Sequence, residues 1–98
     1  KQMLKLLSQN PSTIKLKDSE PNKILSSLKE YMSRPESEFM TIDIAEMNII
    51  DACRISVLVS TEHYINHPTG KINWIVSSNS VEKFVSPMGL GNSSFLLK

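Results

Sequence analysis

The sequence is poor in the residue types that mark several large functional classes. It has one cysteine and three glycines in 98 residues, and its eleven basic residues are nearly balanced by ten acidic ones. Cys53 has no partner for an internal disulfide, so the fold must depend on an apolar core, as is usual in a reducing compartment. A net charge of +1 supplies no strong field for nucleic acid or an anionic membrane. We therefore predict a cytoplasmic protein that does not bind nucleic acid.

Long apolar runs are also missing. No stretch approaches the roughly 18 residues that a membrane span needs, and no signal-like segment follows Lys1, so no membrane insertion is expected. The hydrophobic share of 40% and charged share of 21% are close to those of globular domains. Residues 1–98 are predicted to form a single domain, and the missing initial Met leaves open that the chain is a fragment of a longer protein.

Hydrophobic periodicity predicts an alternation of strands and helices. Strands are expected at residues 2–7, 13–17, 39–44, 71–76 and 95–97, although the first of these segments could instead be a frayed helix. Helices are expected from Asp18 or Ser19 to Arg34, from Asp51 as N-cap through Ile65, and over residues 80–87. The second helix is ambiguous because residues 56–60 would also fit a buried strand, but the length of the segment favours a helix. The order predicts an α/β domain with a mixed, mostly parallel sheet of four to five strands and about three helices.

One stretch carries a family resemblance. Residues 40–58 read MTIDIAEMNIIDACRISVL, which is a strand, an aspartate-containing turn, an apolar pair, Asp51, two small residues and a helix. This stretch resembles the STAS family, the domain shared by sulfate transporters and anti-sigma factor antagonists. The strand at 71–76, the helix at 80–87 and the Met-Gly-Leu that follows are similar to the end of that domain. The resemblance implies a STAS-like fold and a protein-interaction role.

The departures from the family pattern change the expected mechanism. The family has Ile-Asp-Ser-Ser-Gly, with the first serine phosphorylated in the antagonist branch, whereas this chain has Ala52, Cys53 and Arg54 after Asp51. Ala52 has no hydroxyl to accept a phosphoryl group, so the charge of about −1.5 to −2 that switches such a surface cannot be added there. We expect these four residues to form the partner-binding surface, with the exposed Arg54 guanidinium pairing with a partner carboxylate.

The resemblance thus implies a non-enzymatic regulatory module without the serine phosphoswitch and without a cofactor or metal. Its partner would be a protein, such as a kinase-like anti-sigma factor or a transporter component. The alternative is an accessory subunit or ligand-binding module of a transport system. The oligomeric state is left open, a homodimer included.

Three other sets of residues were candidates for chemistry. His63 and His67 are four residues apart, as in a helical zinc site, but no third ligand stands at a matching spacing. Cys53 at a helix start could be a nucleophile, although a lone cysteine is more often a small buried apolar residue. Asp43, Glu46 and Asp51 resemble an acidic catalytic set, but a solvated sheet edge and a helix cap explain them more simply.

Overall fold

The computed structural model describes residues 13–17, 20–88 and 90–98. Within these ranges the strands are β1 (Thr13–Lys15), β2 (Phe39–Asp43), β3 (Lys71–Val76) and β4 (Ser93–Leu97), and the helices are α1 (Pro21–Met32), α2 (Ile49–Asn66) and α3 (Asn79–Val85). The strands form one sheet in the order β1-β2-β3-β4, and every neighbouring pair is parallel. The predicted α/β fold class is confirmed. The strand expected at residues 2–7 lies outside the described residues.

Burial alternates along the central strands and shows that one face of the sheet carries the core. Met40 and Ile42 of β2 are buried, as are Ile72 and Trp74 of β3. These side chains form one cluster with buried residues from all three helices: Ile24, Leu28, Met32, Ile55, Val59, Val81 and Val85. Parallel sheets are usually covered on both faces. Here the helices cover one.

The opposite face of the sheet is open in the part of the chain that the structure describes. Its residues alternate with the buried ones, as the two-residue period of a strand requires. Phe39 is 61% exposed and Leu96 is 55% exposed, and Lys71 and Asn73 between them are also exposed. The open face is mainly polar, and its apolar side chains include Phe39, Leu96 and the half-buried Ile75.

Helix α2 is the central helix of the covering layer, and its helical character confirms the prediction made from its length. Its inward side buries apolar and hydroxyl residues together, including Ile55, Ser56, Val59 and Ser60. Ser56 Oγ donates to the Ala52 carbonyl at 2.8 Å, and Ser60 Oγ donates to the Ser56 carbonyl at 2.6 Å. These bonds to the preceding turn satisfy hydroxyls that would otherwise be costly to bury.

Strand β4 is attached to the rest of the domain through side chains as well as through the ladder with β3. Asn92 Nδ2 donates to the Ser60 carbonyl at 3.0 Å, and Trp74 Nε1 donates to Ser93 Oγ at 3.0 Å. The rings of Trp74 and Phe95 stack with their centroids 6.5 Å apart. β4 is therefore held firmly on the side that faces β3.

Candidate functional site

The segment that the sequence singled out lies at the start of α2, and its capping differs from the prediction. Asn48, not Asp51, is the N-cap residue, and the helix begins at Ile49. Asn48 Oδ1 accepts from the Asp51 backbone N–H at 2.9 Å, and Asn48 Nδ2 donates to Asp51 Oδ2 at 2.9 Å. The first bond is that of a capping box, but the second differs, because the Asp51 carboxylate bonds the side-chain amide of Asn48 and not its backbone N–H. The N-cap was predicted at Asp51, three residues too late, because Asn48 and Asp51 both have side chains that can cap a helix.

The four predicted partner-binding residues point in different directions. Ala52 is 2% exposed and Cys53 is 8% exposed, so both belong mainly to the core. Asp51 is half-buried, and its carboxylate accepts from the side-chain amide of Asn48. Arg54 alone is exposed. A direct contact with a partner through this turn would therefore involve Arg54 first and Asp51 second.

An apolar groove lies beside Arg54, between the start of α2 and α3. We call it the α2–α3 groove. It has a volume of about 350 Å³ and is lined by Ile49, Ile50, Cys53, Arg54, Ser80 and Phe84. Ile50 is 68% exposed and Phe84 is 59% exposed, which is unusual for large apolar side chains placed side by side. Their exposure marks the groove as a surface suited to contact with another molecule.

A second cavity of about 560 Å³ continues the groove toward α1. It shares Cys53, Arg54 and Phe84 with the first cavity and extends to Glu20, Pro21, Asn22, Val57, Leu58 and Met88. Arg54 therefore lines both cavities, and each cavity also has apolar side chains. A partner that occupied both cavities would contact Arg54 in each.

The Arg54 guanidinium has no ion pair among the residues that the structure describes. The ion pairs in those ranges are Lys15–Glu46, Arg34–Glu30 and Lys98–Asp43. An exposed guanidinium is suited to bind a carboxylate in a bidentate manner, because its planar set of N–H donors matches the two carboxylate oxygens. Ser78 caps α3 by accepting from the Ser80 N–H at 3.0 Å, which fixes the opposite wall of the groove.

The environment of Cys53 does not favour a nucleophile. Burial raises the pKa of the Cys53 thiol, so the thiol is protonated near neutral pH. Nucleophilic cysteines require the opposite shift, together with a base in hydrogen-bond reach. The thiol instead forms part of the floor of the α2–α3 groove.

His63 and His67 are brought together, but as donors to backbone carbonyls. His63 Nε2 donates to the Ser37 carbonyl at 2.7 Å, and His67 Nε2 donates to the Met32 carbonyl at 2.8 Å. The ring centroids are 5.2 Å apart, and His63 is fully buried. Within residues 13–17, 20–88 and 90–98, no group of three side chains is placed to hold a metal ion. These two hydrogen bonds connect the end of α2 to the end of α1 and to the segment between α1 and β2.

The acidic residues 43, 46 and 51 do not form one set. Asp43 is buried, and its Oδ1 accepts from the Ala45 N–H at 2.9 Å while Oδ2 pairs with Lys98 at 3.3 Å. Glu46 pairs with Lys15 at 2.9 Å, and the lysine lowers the pKa of that carboxyl. Each carboxylate has its own structural partner, so shared acid–base chemistry has no support.

Sequence reasoning did not identify Ile49, Ile50, Phe84 and Met88 as site residues. The two isoleucines are the apolar pair before Asp51, and Phe84 lies within the helix expected at residues 80–87. Val81 and Val85 are buried and four residues apart, so they define the inward side of α3 and leave Phe84 outside it. The spacing of the two valines could have identified Phe84 as a surface residue. The adjacent isoleucines gave a similar signal, because two successive helical residues cannot both face one core.

Comparisons with known proteins give no relative for this chain. No family model, no curated protein and no solved structure matches it. In the described part of the chain, none of the helices has both the length and the apolarity that crossing a bilayer requires.

Proposed function

We propose that the protein is a non-enzymatic regulatory module that binds a partner protein through the α2–α3 groove. The observation that carries this proposal is the exposure of Ile50 and Phe84 beside an Arg54 without an ion pair in the described residues. Protein interfaces combine apolar anchors with arginine in this way. The resemblance to STAS domains supports the same role, since their antagonist members act by binding other proteins.

The shape of the groove favours a protein over a small molecule. Cavities for small ligands enclose most of the ligand surface. Here Arg54, Phe84 and Met88 line the cavities and are themselves exposed, so the groove is open along its outer side. A helix or extended segment laid into such a groove would place apolar side chains in the two cavities.

A carboxylate on the partner is expected to lie between those apolar side chains. Arg54 lines both cavities together with apolar side chains, so an acidic residue flanked by apolar ones would match the groove in charge and shape. Because Ala52 carries no hydroxyl, binding would not be released by phosphorylation at that position. A kinase-like anti-sigma factor or a transporter component is a candidate partner, and a cytoplasmic location remains part of the proposal.

Comparative affinity purification tests the proposal with matched variants. Ile50 and Ile65 lie on the same helix with exposures of 68% and 69%. Their separation of fifteen residues corresponds to about 22 Å along the helix. Partners retained by wild type and Ile65→Lys, but lost with Ile50→Lys, are those that bind the groove.

Arginine provides a second matched pair. Arg54→Ala is expected to lower partner affinity, while Arg34→Ala, which removes only an exposed pair with Glu30, is expected to leave it unchanged. All four variants should unfold at the wild-type urea concentration within error, since each altered side chain is exposed. Partners that bind all four variants equally would show that the groove is not the docking surface.

The volume of the second cavity gives one reason to keep a ligand-binding role as the alternative. About 560 Å³ falls within the range of small-molecule sites. A ligand that raises the melting temperature of wild type but not of Met88→Lys would favour this alternative.

A further inference from the structure

The outer edge of β4 presents a regular set of backbone groups that have no partner in the described residues. Lys98 N–H donates to the Val76 carbonyl at 2.7 Å, and the Asn92 carbonyl accepts from the Ile72 N–H at 2.9 Å. Because backbone direction alternates along a strand, even-numbered residues of β4 face β3 and odd-numbered ones face outward. The N–H and C=O groups of Ser93, Phe95 and Leu97 therefore point away from the sheet.

The two edges of the sheet are protected differently. The β1 edge has Lys15 within the strand and Lys17 just after it, and charged lysines are a common means of preventing strands from pairing at an edge. β4 reads Ser-Ser-Phe-Leu-Leu, without a charge or a proline. Leu96 and Leu97 are 55% and 59% exposed, so apolar side chains accompany the unpaired backbone.

We infer that β4 pairs with β4 of a second copy of this chain, antiparallel across a two-fold axis at Phe95. In this register Ser93 lies opposite Leu97 of the second copy, and Phe95 lies opposite Phe95. Both are hydrogen-bonded pairs, so all three N–H and all three C=O groups of each strand are used. A shift of register by two residues in either direction would leave some of them unpaired.

Side-chain sizes and charges in β4 suit the same register. Leu97 faces Ser93, and Leu96 faces Ser94, so each leucine meets a small residue on its own face of the sheet. Lys98 falls opposite Asn92, which keeps the two lysine charges apart. A two-fold interface uses one patch twice, and β4 is complementary to itself in this sense. The result would be a continuous eight-stranded sheet.

Proline substitution tests the pairing without breaking the domain. Leu97→Pro removes an outward N–H and leaves the ladder with β3 intact, since proline is tolerated at such edge positions. Pairing through one short strand buries little surface, so the dimer should be weak. Sedimentation of the wild type at concentrations up to about 1 mM should therefore show monomer and dimer in equilibrium. Leu97→Pro removes two hydrogen bonds from each dimer, so the dissociation constant of the dimer should rise about tenfold or more. Ile65→Lys, on an exposed helix surface, should dimerise as wild type does.

Disulfide formation tests the register. In a Cys53→Ala background, Ser94→Cys and Leu96→Cys chains should cross-link when mixed, because positions 94 and 96 face each other at a Cα distance of about 4.5 Å. Neither should cross-link efficiently alone. A chain that stays monomeric throughout the concentration range, or a dimer that Ile50→Lys abolishes and Leu97→Pro does not, would overturn the inference. The second result would also move self-association to the α2–α3 groove.

Discussion

Replacing Gly70 by alanine should destabilise the domain through a steric clash that no side-chain rotation relieves. A Cβ at this position would overlap the backbone carbonyl oxygen of Glu38 and lie 2.7 Å from Cε1 of His63. The Glu38 carbonyl accepts from the Lys71 N–H at 2.9 Å and so begins the pairing of β2 with β3. The His63 ring is held by its own bond to the Ser37 carbonyl. Both neighbours are therefore rigid.

The expected cost of Gly70→Ala follows from these constraints. Overpacking a rigid site costs about 1–3 kcal/mol, against a total stability of about 5–15 kcal/mol for a domain of this size. A loss of about 2 kcal/mol lowers the melting temperature of such a domain by about 10 °C. In urea, the midpoint should fall while the slope of the unfolding free energy stays unchanged, since the surface exposed on unfolding is the same.

Gly91 is the matched control for this prediction. Its φ is +81°, and an added Cβ would meet nothing within 4 Å. Gly91→Ala should therefore cost only backbone strain of about 1–2 kcal/mol, much of which Gly91→Asn should recover because asparagine adopts this conformation more readily. Gly70→Asn should recover nothing. If Gly70→Ala unfolds at the wild-type urea concentration, the rigidity assigned to Glu38 and His63 is refuted.

Two further predictions concern protonation and helix capping. Burial, and secondarily the nearby His67, lower the pKa of His63, and its Nδ1 has no hydrogen-bond partner in the described residues. The unfolded chain therefore binds the proton more readily, and stability should fall as the pH drops below the ordinary histidine pKa of about 6.5. Urea midpoints measured between pH 8 and 5 test this expectation. The His63→Gln variant should show a weaker pH dependence. Asn48→Ala removes both side-chain bonds to Asp51 and should cost about 1–2 kcal/mol in the same assay, whereas Ser78→Ala should cost about 1 kcal/mol or less because only one bond is lost. Equal stability of Asn48→Ala and wild type would contradict the capping assignment.

The order of strands and helices was predictable because local signals were strong where elements begin and end. β3 was expected at residues 71–76 and occupies them, since Gly70 and Ser77 flank an alternating apolar pattern. The end of α2 was also expected, because His67-Pro68 cannot continue a helix. The start of α2 was predicted too late. Both Asn48 and Asp51 can cap a helix, and only the bonds between them show that Asn48 is the cap.

The surface of the candidate site was only partly predictable. Arg54 was expected to be exposed and is. Ala52 and Cys53 were expected beside it on the surface and are buried, because successive helical residues turn about 100° and only one side of the turn faces outward. The exposure of Phe39 and Leu96 depends on the sheet having one uncovered face, which is a consequence of how all the crossovers are arranged. No local pattern carries that information.

The groove and the edge of β4 are separate features of the fold, and their separation has a measurable consequence. The groove is formed by side chains of helices, whereas the edge consists of backbone groups of a strand, and the two share no residue. Effects of substitutions that share no partner usually add within about 0.5 kcal/mol. An Ile50→Lys, Leu97→Pro double variant should therefore lose partner binding and self-association by the amounts found for each single change. If instead the effects of the two substitutions are strongly coupled, the partner binds only the dimer, and the second copy completes the docking surface.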